Sequence, residues 1–271
     1  MEYLLFVILG CVTGLVAGIL GVGGGLIIVP GLAMIFKYYY GFDNLYMHLA
    51  AGTSLAVMIF TATAGTISNQ KQKRIVWAIF FQTIPWILFA DIVGAFISGL
   101  LNAITLSILF AVIILIMAAK MIVTVVKIKK NIKDDEIIKK VPLYLAAMVG
   151  SLIGLKSGLF GIGGGAISVP YMTSVGVPMK KATGTSMAFT LPISLVGTLC
   201  FIIIGLVAKV NISNTLGYVY WPTVLVIAPC TMFFAPIGSK LAAGMSTKWL
   251  RYIFIIFLLF IGFKMLITAL I

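Results

Sequence analysis

The sequence is short of acid and of charge altogether. Six Asp and Glu stand against nineteen Lys and Arg in 271 residues, and charged residues make up only 9% of the chain. Soluble domains carry roughly 25% charged residues, so this composition cannot build a water-facing surface. There is one histidine, His48, at the edge of an apolar run, a place for an interfacial side chain rather than a catalytic one. Cys11, Cys200 and Cys230 lie in apolar runs without C-x-x-C spacing, which marks them as small hydrophobes rather than a redox or metal set. No nucleophile elbow and no GxxxxGK[ST] loop is present. Enzyme chemistry, a cofactor, a bound metal and direct ATP drive are therefore not expected.

What is there is apolar: 62% of residues are hydrophobic and the mean hydropathy is +1.21. The apolar runs are long and the polar gaps short, as in spanning helices; barrel strands would alternate polar and apolar over about ten residues. The reading is an all-α integral membrane protein, one transmembrane domain over 1–271. Membrane lipids are its surroundings. The net charge of +13 does not point to nucleic acid, because 12 of the 19 basic residues fall in four clusters between apolar runs: Lys71 to Arg74, Lys127 to Lys140, Lys180-Lys181 and Lys240. Such clusters report orientation through the positive-inside rule. Met1-Glu2 opens the chain without a basic region, so the first run is expected to be retained.

Ten apolar segments follow, five per half. In the first half they run from Tyr3 to Leu20, Leu26 to Lys37, His48 to Ser68, Ile75 to Leu100 and Ala103 to Val126. In the second they run from Pro142 to Phe160, Ala166 to Val175, Lys181 to Val207, Tyr218 to Ala243 and Lys248 to Leu270. The halves, 1–126 and 142–271, are joined by a charged linker at 127–141, and they are copies. Gly18 to Pro30 reads GILGVGGGLIIVP, and Gly158 to Pro170 reads GLFGIGGGAISVP, with eight of thirteen positions identical. Gly10, Gly14 and Gly18 recur as Gly150, Gly154 and Gly158, and AAGTSLA from Ala50 recurs as ATGTSMA from Ala182.

Charge fixes how the copies are related. If the cluster at Lys71 to Arg74 and the linker both face the cytoplasm, the two segments between them form a hairpin with an outside tip. Carrying the count both ways puts the third segment of each half in opposite directions and both termini outside. The expected architecture is two inverted-topology repeats of about five helical segments each, with eight to ten segments transmembrane or re-entrant, as in many secondary transporters. The second segment, of 12 residues, spans only about 18 Å as a helix, which favours a re-entrant or broken first hairpin in each half over two full crossings.

The glycines divide into two kinds. The ladder Gly10, Gly14, Gly18 and its copy fits close helix packing. Three glycines in a row line no single face, so Gly21 and Gly23, Gly24, Gly25, with Gly161 and Gly163, Gly164, Gly165, predict helix breaks supported by Pro30 and Pro170. A helix restarting after a break aims free N–H groups at the gap, which favours an anion. The alternative is a glycine hinge with no ligand. Thr53-Ser54 and Thr185-Ser186 recur beside Gly52 and Gly184; they either contact the same substrate or bond their own helix. Two charges break the symmetry: Asp91 aligns with Ala235 and Lys156 with Val16. Ionisable groups in membrane segments are costly and usually functional, so Lys156 is a candidate for meeting the anion and Asp91 for carrying a coupling proton or pairing with Lys156, with a place at the polar boundary as the alternative for Asp91. A sodium ion is the other candidate for coupling.

These paired G-x-x-G-x-G-G-G-x-x-x-x-P stretches, the AGTSLA and ATGTSMA segments and the charged linker resemble the sulfite exporter TauE/SafE family of membrane permeases across essentially the whole chain. The resemblance implies transport of a small anion, sulfite or an organosulfonate among them, and it leaves the anion and the oligomeric state open. The function expected is a secondary permease of a small sulfur-containing anion in the cell membrane, working by alternating access where the repeats meet. An anion channel and a non-transporting subunit of a membrane complex are the alternatives.

Overall fold

A computed structural model describes residues 2–21, 23–127, 142–244 and 247–270. The linker, from 128 to 141, lies outside the described residues. Ten α-helices are described: α1 Glu2–Leu20, α2 Gly25–Met34, α3 Tyr46–Lys71, α4 Trp77–Leu100, α5 Ala103–Lys127, α6 Leu143–Phe160, α7 Gly165–Ser174, α8 Met179–Val207, α9 Trp221–Gly244 and α10 Thr247–Leu270. Six are long and apolar enough to cross a membrane: α1, α3, α4, α6, α8 and α9.

The surface is that of a membrane protein. Leu100 is 87% exposed, Val207 78% and Leu225 71%. Threonine and serine hydroxyls are buried instead, among them Thr53, Ser54, Thr61, Thr185, Ser186 and Thr190. With lipid outside, polar side chains are satisfied by turning inward to one another and to backbone.

The two halves are laid into each other. In the first, α1 packs along α9, and the ladder sits in that contact, with Gly10 against Cys230, Gly14 against Thr231 and Phe234, and Gly18 against Ala235 and Ser239. In the second, α6 packs along α4 with Gly150 against Thr83 and Trp86, Gly154 against Ile87 and Gly158 against Asp91. Any side chain on Gly154 or Gly158 would run into the α4 backbone. The third helices, α3 and α8, cross at the centre, and α5 pairs with α10.

Several boundaries differ from expectation. After α2 the chain continues through a π-helical turn, Ile35–Tyr39, whose Phe36 packs in an aromatic cluster with Tyr40, Phe42 and Tyr220; α7 stops at Ser174. The ninth segment does not begin as helix at Tyr218. Strands β1 Thr215–Leu216 and β2 Val219–Tyr220 form a hairpin, with Gly217 at φ 59° in its two-residue turn, a role glycine fills at low cost. Gly217 lies flat on Ile202 of α8. His48 is turned inward: it is 3% exposed in the first turn of α3, its Nε2 3.0 Å from Ser98 O and its ring stacked on Tyr218. The cysteines are free and half-buried.

Candidate functional site

Both glycine clusters break the chain. α1 ends at Leu20 and α2 begins at Gly25; α6 ends at Phe160 and α7 begins at Gly165. Gly21 and Gly161 take φ 69° and 68°, the left-handed exit that glycine allows without a Cβ clash. The Gly21 N–H still bonds Ala17 O at 2.8 Å, and the Gly161 N–H bonds Ser157 O at 2.7 Å. The short helices that restart have ten residues each, about 15 Å or half the hydrocarbon thickness. Pro30 and Pro170 lie inside them.

Each break rests on the other half. Gly21 lies on Thr183 of α8, and Ser186 Oγ donates to Gly21 O at 2.7 Å. In mirror fashion Gly161 lies on Ala51 of α3, and Ser54 Oγ donates to Gly161 O at 3.0 Å. The neighbouring threonines reach elsewhere. Thr53 Oγ1 accepts the Tyr220 N–H at 3.0 Å, and Thr185 Oγ1 accepts the Val76 N–H at 2.9 Å. Those residues immediately precede α9 and α4, so each threonine satisfies a free donor at a helix start. The recurrent Thr-Ser pair is thus a fastening between halves in this structure, and it does not simply bond its own helix.

The breaks meet at the centre. A methyl placed on Gly25 would lie 2.7 Å from Gly161 O and from Ile162. Thr190 of α8 stands between the two: a methyl on Gly23 would come within 3.0 Å of its Oγ1, and one on Gly163 within 3.0 Å of its Cγ2. Met58 of α3, the counterpart of Thr190 in the repeat, borders Gly163. Sequence reasoning missed both, because neither sits beside a motif; only their shared offset within the repeat marks them. The first turns of α2 and α7 each carry N–H groups without partners inside their own helix, and the breaks before both helices lie against Thr190.

The second break carries charge. Lys156, 3% exposed in α6, donates from Nζ to Gly163 O at 2.8 Å, and the Gly163 N–H bonds Ser157 Oγ at 3.2 Å. Asp91 of α4 is fully buried beside Lys156 and Ser157, and neither of its carboxyl oxygens has a hydrogen-bond partner. It lies in the interior of α4, in the helix's second half. A cavity of about 530 Å³ between α5, α6 and α7 reaches Lys156 and the first turn of α7 at Ala166 and Ile167. Its walls are otherwise mostly apolar.

No solved structure matches the chain. The sulfite exporter TauE/SafE family profile matches residues 6–265. A probable membrane transporter protein of Haemophilus influenzae is 31% identical over 97% of both chains. The probable membrane transporter protein YunE of Bacillus subtilis is 28% identical over 98% of both, and MJ0441 of Methanocaldococcus jannaschii, also named a probable membrane transporter protein, is 28% identical over 91% of this chain and 89% of its own. With helix breaks, a buried charged site and relatives named as transporters rather than enzymes, this multi-pass membrane protein belongs to the sulfite exporter TauE/SafE family.

Proposed function

We propose that the protein is a secondary transporter of a small anion, of the sulfite or organosulfonate class, held where the two helix breaks meet. The observation that carries this is the convergence of the breaks on Thr190, with Gly25 against the Gly161 to Ile162 backbone and the Lys156 ammonium at Gly163 O. Gly23, Gly24, Gly25, Gly164 and Gly165 supply the backbone N–H groups for the anion, while the Gly163 N–H is held by Ser157 Oγ. An anion gains from the dipoles of both short helices there. Ser54 and Ser186 keep the breaks open by holding their carbonyls, and Thr53 and Thr185 hold the helices beyond. Alternating access then consists of rocking one half against the other about a site that both halves build.

The halves are inverted in this reading, and both termini lie outside the cell membrane. Cysteine labelling at Tyr3 and at a C-terminal extension should be blocked by an impermeant reagent added outside; protection of either end overturns the inversion. For function, purified protein in liposomes should exchange one or more of labelled sulfite, thiosulfate, sulfoacetate, isethionate and sulfate, with saturation. Flux that rises linearly with concentration would mark a channel instead, and no flux of any of them would remove the transporter reading.

A further inference from the structure

Asp91 stands out among the described residues as a buried carboxylate with both oxygens unpartnered. It is enclosed on every side. From α6, Lys156 and Ser157 face it; from α8, Cys200 lies near, and a methyl on Gly197 would be 3.2 Å from its Oδ2; from α3, Leu55 closes the junction. The titratable groups facing it are therefore Lys156 and Cys200, and Lys156 is the only cation of the two. Across the repeat the same junction is uncharged, with Ala235 and Val16 in place of Asp91 and Lys156. The molecule thus has one such pair and not two.

A site sunk among helices must keep its net charge near zero, because an uncompensated ion in the membrane interior is costly. Without an anion, Asp91 as carboxylate balances Lys156 as ammonium. When an anion arrives at the second break it takes over as the partner of Lys156, and the carboxylate is left as excess negative charge. Neutrality returns if Asp91 takes one proton.

We infer that Asp91 is the proton-binding site of the transporter, loading one proton for each anion charge that the Lys156 ammonium accepts, so that transport is electroneutral. This rests on the anion-site reading above. Charge balances at each step: the proton comes from water on the loading side, resides on Asp91 while the anion faces Lys156, and leaves with it on the other side. A sodium ion fits less well, since hard cations want a shell of oxygen ligands, while Asp91 is bordered by one hydroxyl, that of Ser157, beside an ammonium, a thiol, a glycine and a leucine.

The test uses labelled isethionate, which carries one charge at any working pH, with sulfite run beside it, in liposomes clamped at zero membrane potential. A one-unit pH gradient, acid outside, should sustain about a tenfold internal accumulation of isethionate, since one proton per anion carries a tenfold ratio per unit. Imposing a membrane potential should not change that ratio. Asp91→Asn should bring it to about one, and Asp91→Glu should restore it. Exchange without pH-driven accumulation in the wild type, accumulation driven by sodium, or tenfold accumulation in Asp91→Asn each overturns the inference while leaving the anion site standing. If Asp91→Asn fails to reach the membrane, the wild-type ratio and its indifference to potential decide alone. Absence of any exchange in the wild type removes both readings together.

Discussion

In the first half the residue before the short helix, Gly24, is left-handed at φ 95° and ψ −20°; in the second its counterpart, Gly164, stands at φ −76° and ψ −31° in the ordinary helical region. The surroundings differ to match. Beside the first break are Thr13 and Ala17, and the neighbouring α3 to α9 contact holds a Thr61 to Thr231 hydroxyl pair at 2.7 Å. Beside the second are Lys156, Ser157 and Asp91. One copy holds its break through backbone stereochemistry and neutral packing, and the other through an ammonium reaching a carbonyl. After duplication the fastenings between halves stayed the same while the means of shaping each break diverged.

Alanine at the two equivalent glycines should separate the halves most strongly. Gly24→Ala must place a Cβ in the left-handed region, at a cost of about 1–2 kcal/mol, and 2.8 Å from Thr13 Cγ2; anion flux should fall at least tenfold. At Gly164 the backbone suits alanine, and the nearest side chain is Phe189 at 3.3 Å; Gly164→Ala should lower flux only a few fold. Equal losses in liposome uptake would show that the conformational difference has no weight in transport.

Next in size is Lys156→Met. It leaves the buried Gly163 carbonyl without its donor, worth about 1–3 kcal/mol, and takes away the cation facing the anion. Thermal unfolding in detergent should shift down, and anion protection against unfolding should vanish. Val16→Met, at the equivalent place in the first half, should keep that protection. Retained protection in Lys156→Met would make the two breaks alike in their chemistry.

The smallest effect tests what the halves share. Ser54→Ala and Ser186→Ala each remove the donor to a glycine carbonyl in the opposite break, and each should cost about 1–3 kcal/mol by the same reasoning. The two melting shifts should be equal within error. A large difference would mean that only one break depends on its partner half.

The sequence made the breaks plain, because three adjacent glycines cannot line a helix face and a ladder spaced by four can. It also exposed Asp91 and Lys156, since a charge in an apolar run stands out and the repeat shows Ala235 and Val16 in their places. What it could not reveal was where the hydroxyls would go. Ser54 reaches Gly161 and Ser186 reaches Gly21, contacts fixed by how the halves interlock and written in no local spacing. The β-hairpin escaped notice because strands of two residues are too short to show alternation. The π-helical turn after α2 likewise follows from the aromatic cluster around Phe36 and not from any breaker residue.

The interlocking of α1 with α9 has a consequence for how the chain is made. Gly10 finds its partner Cys230 only after most of the protein has left the ribosome. At about 5–20 residues per second, α1 waits on the order of 10–40 s with its glycine face against lipid or against a chaperone. A chain truncated before β2 leaves that face bare and the Tyr220 donor to Thr53 missing. The α4 to α6 seam has both its partners well before then, so the late step of maturation is the α1 to α9 seam, which the last third of the polypeptide completes.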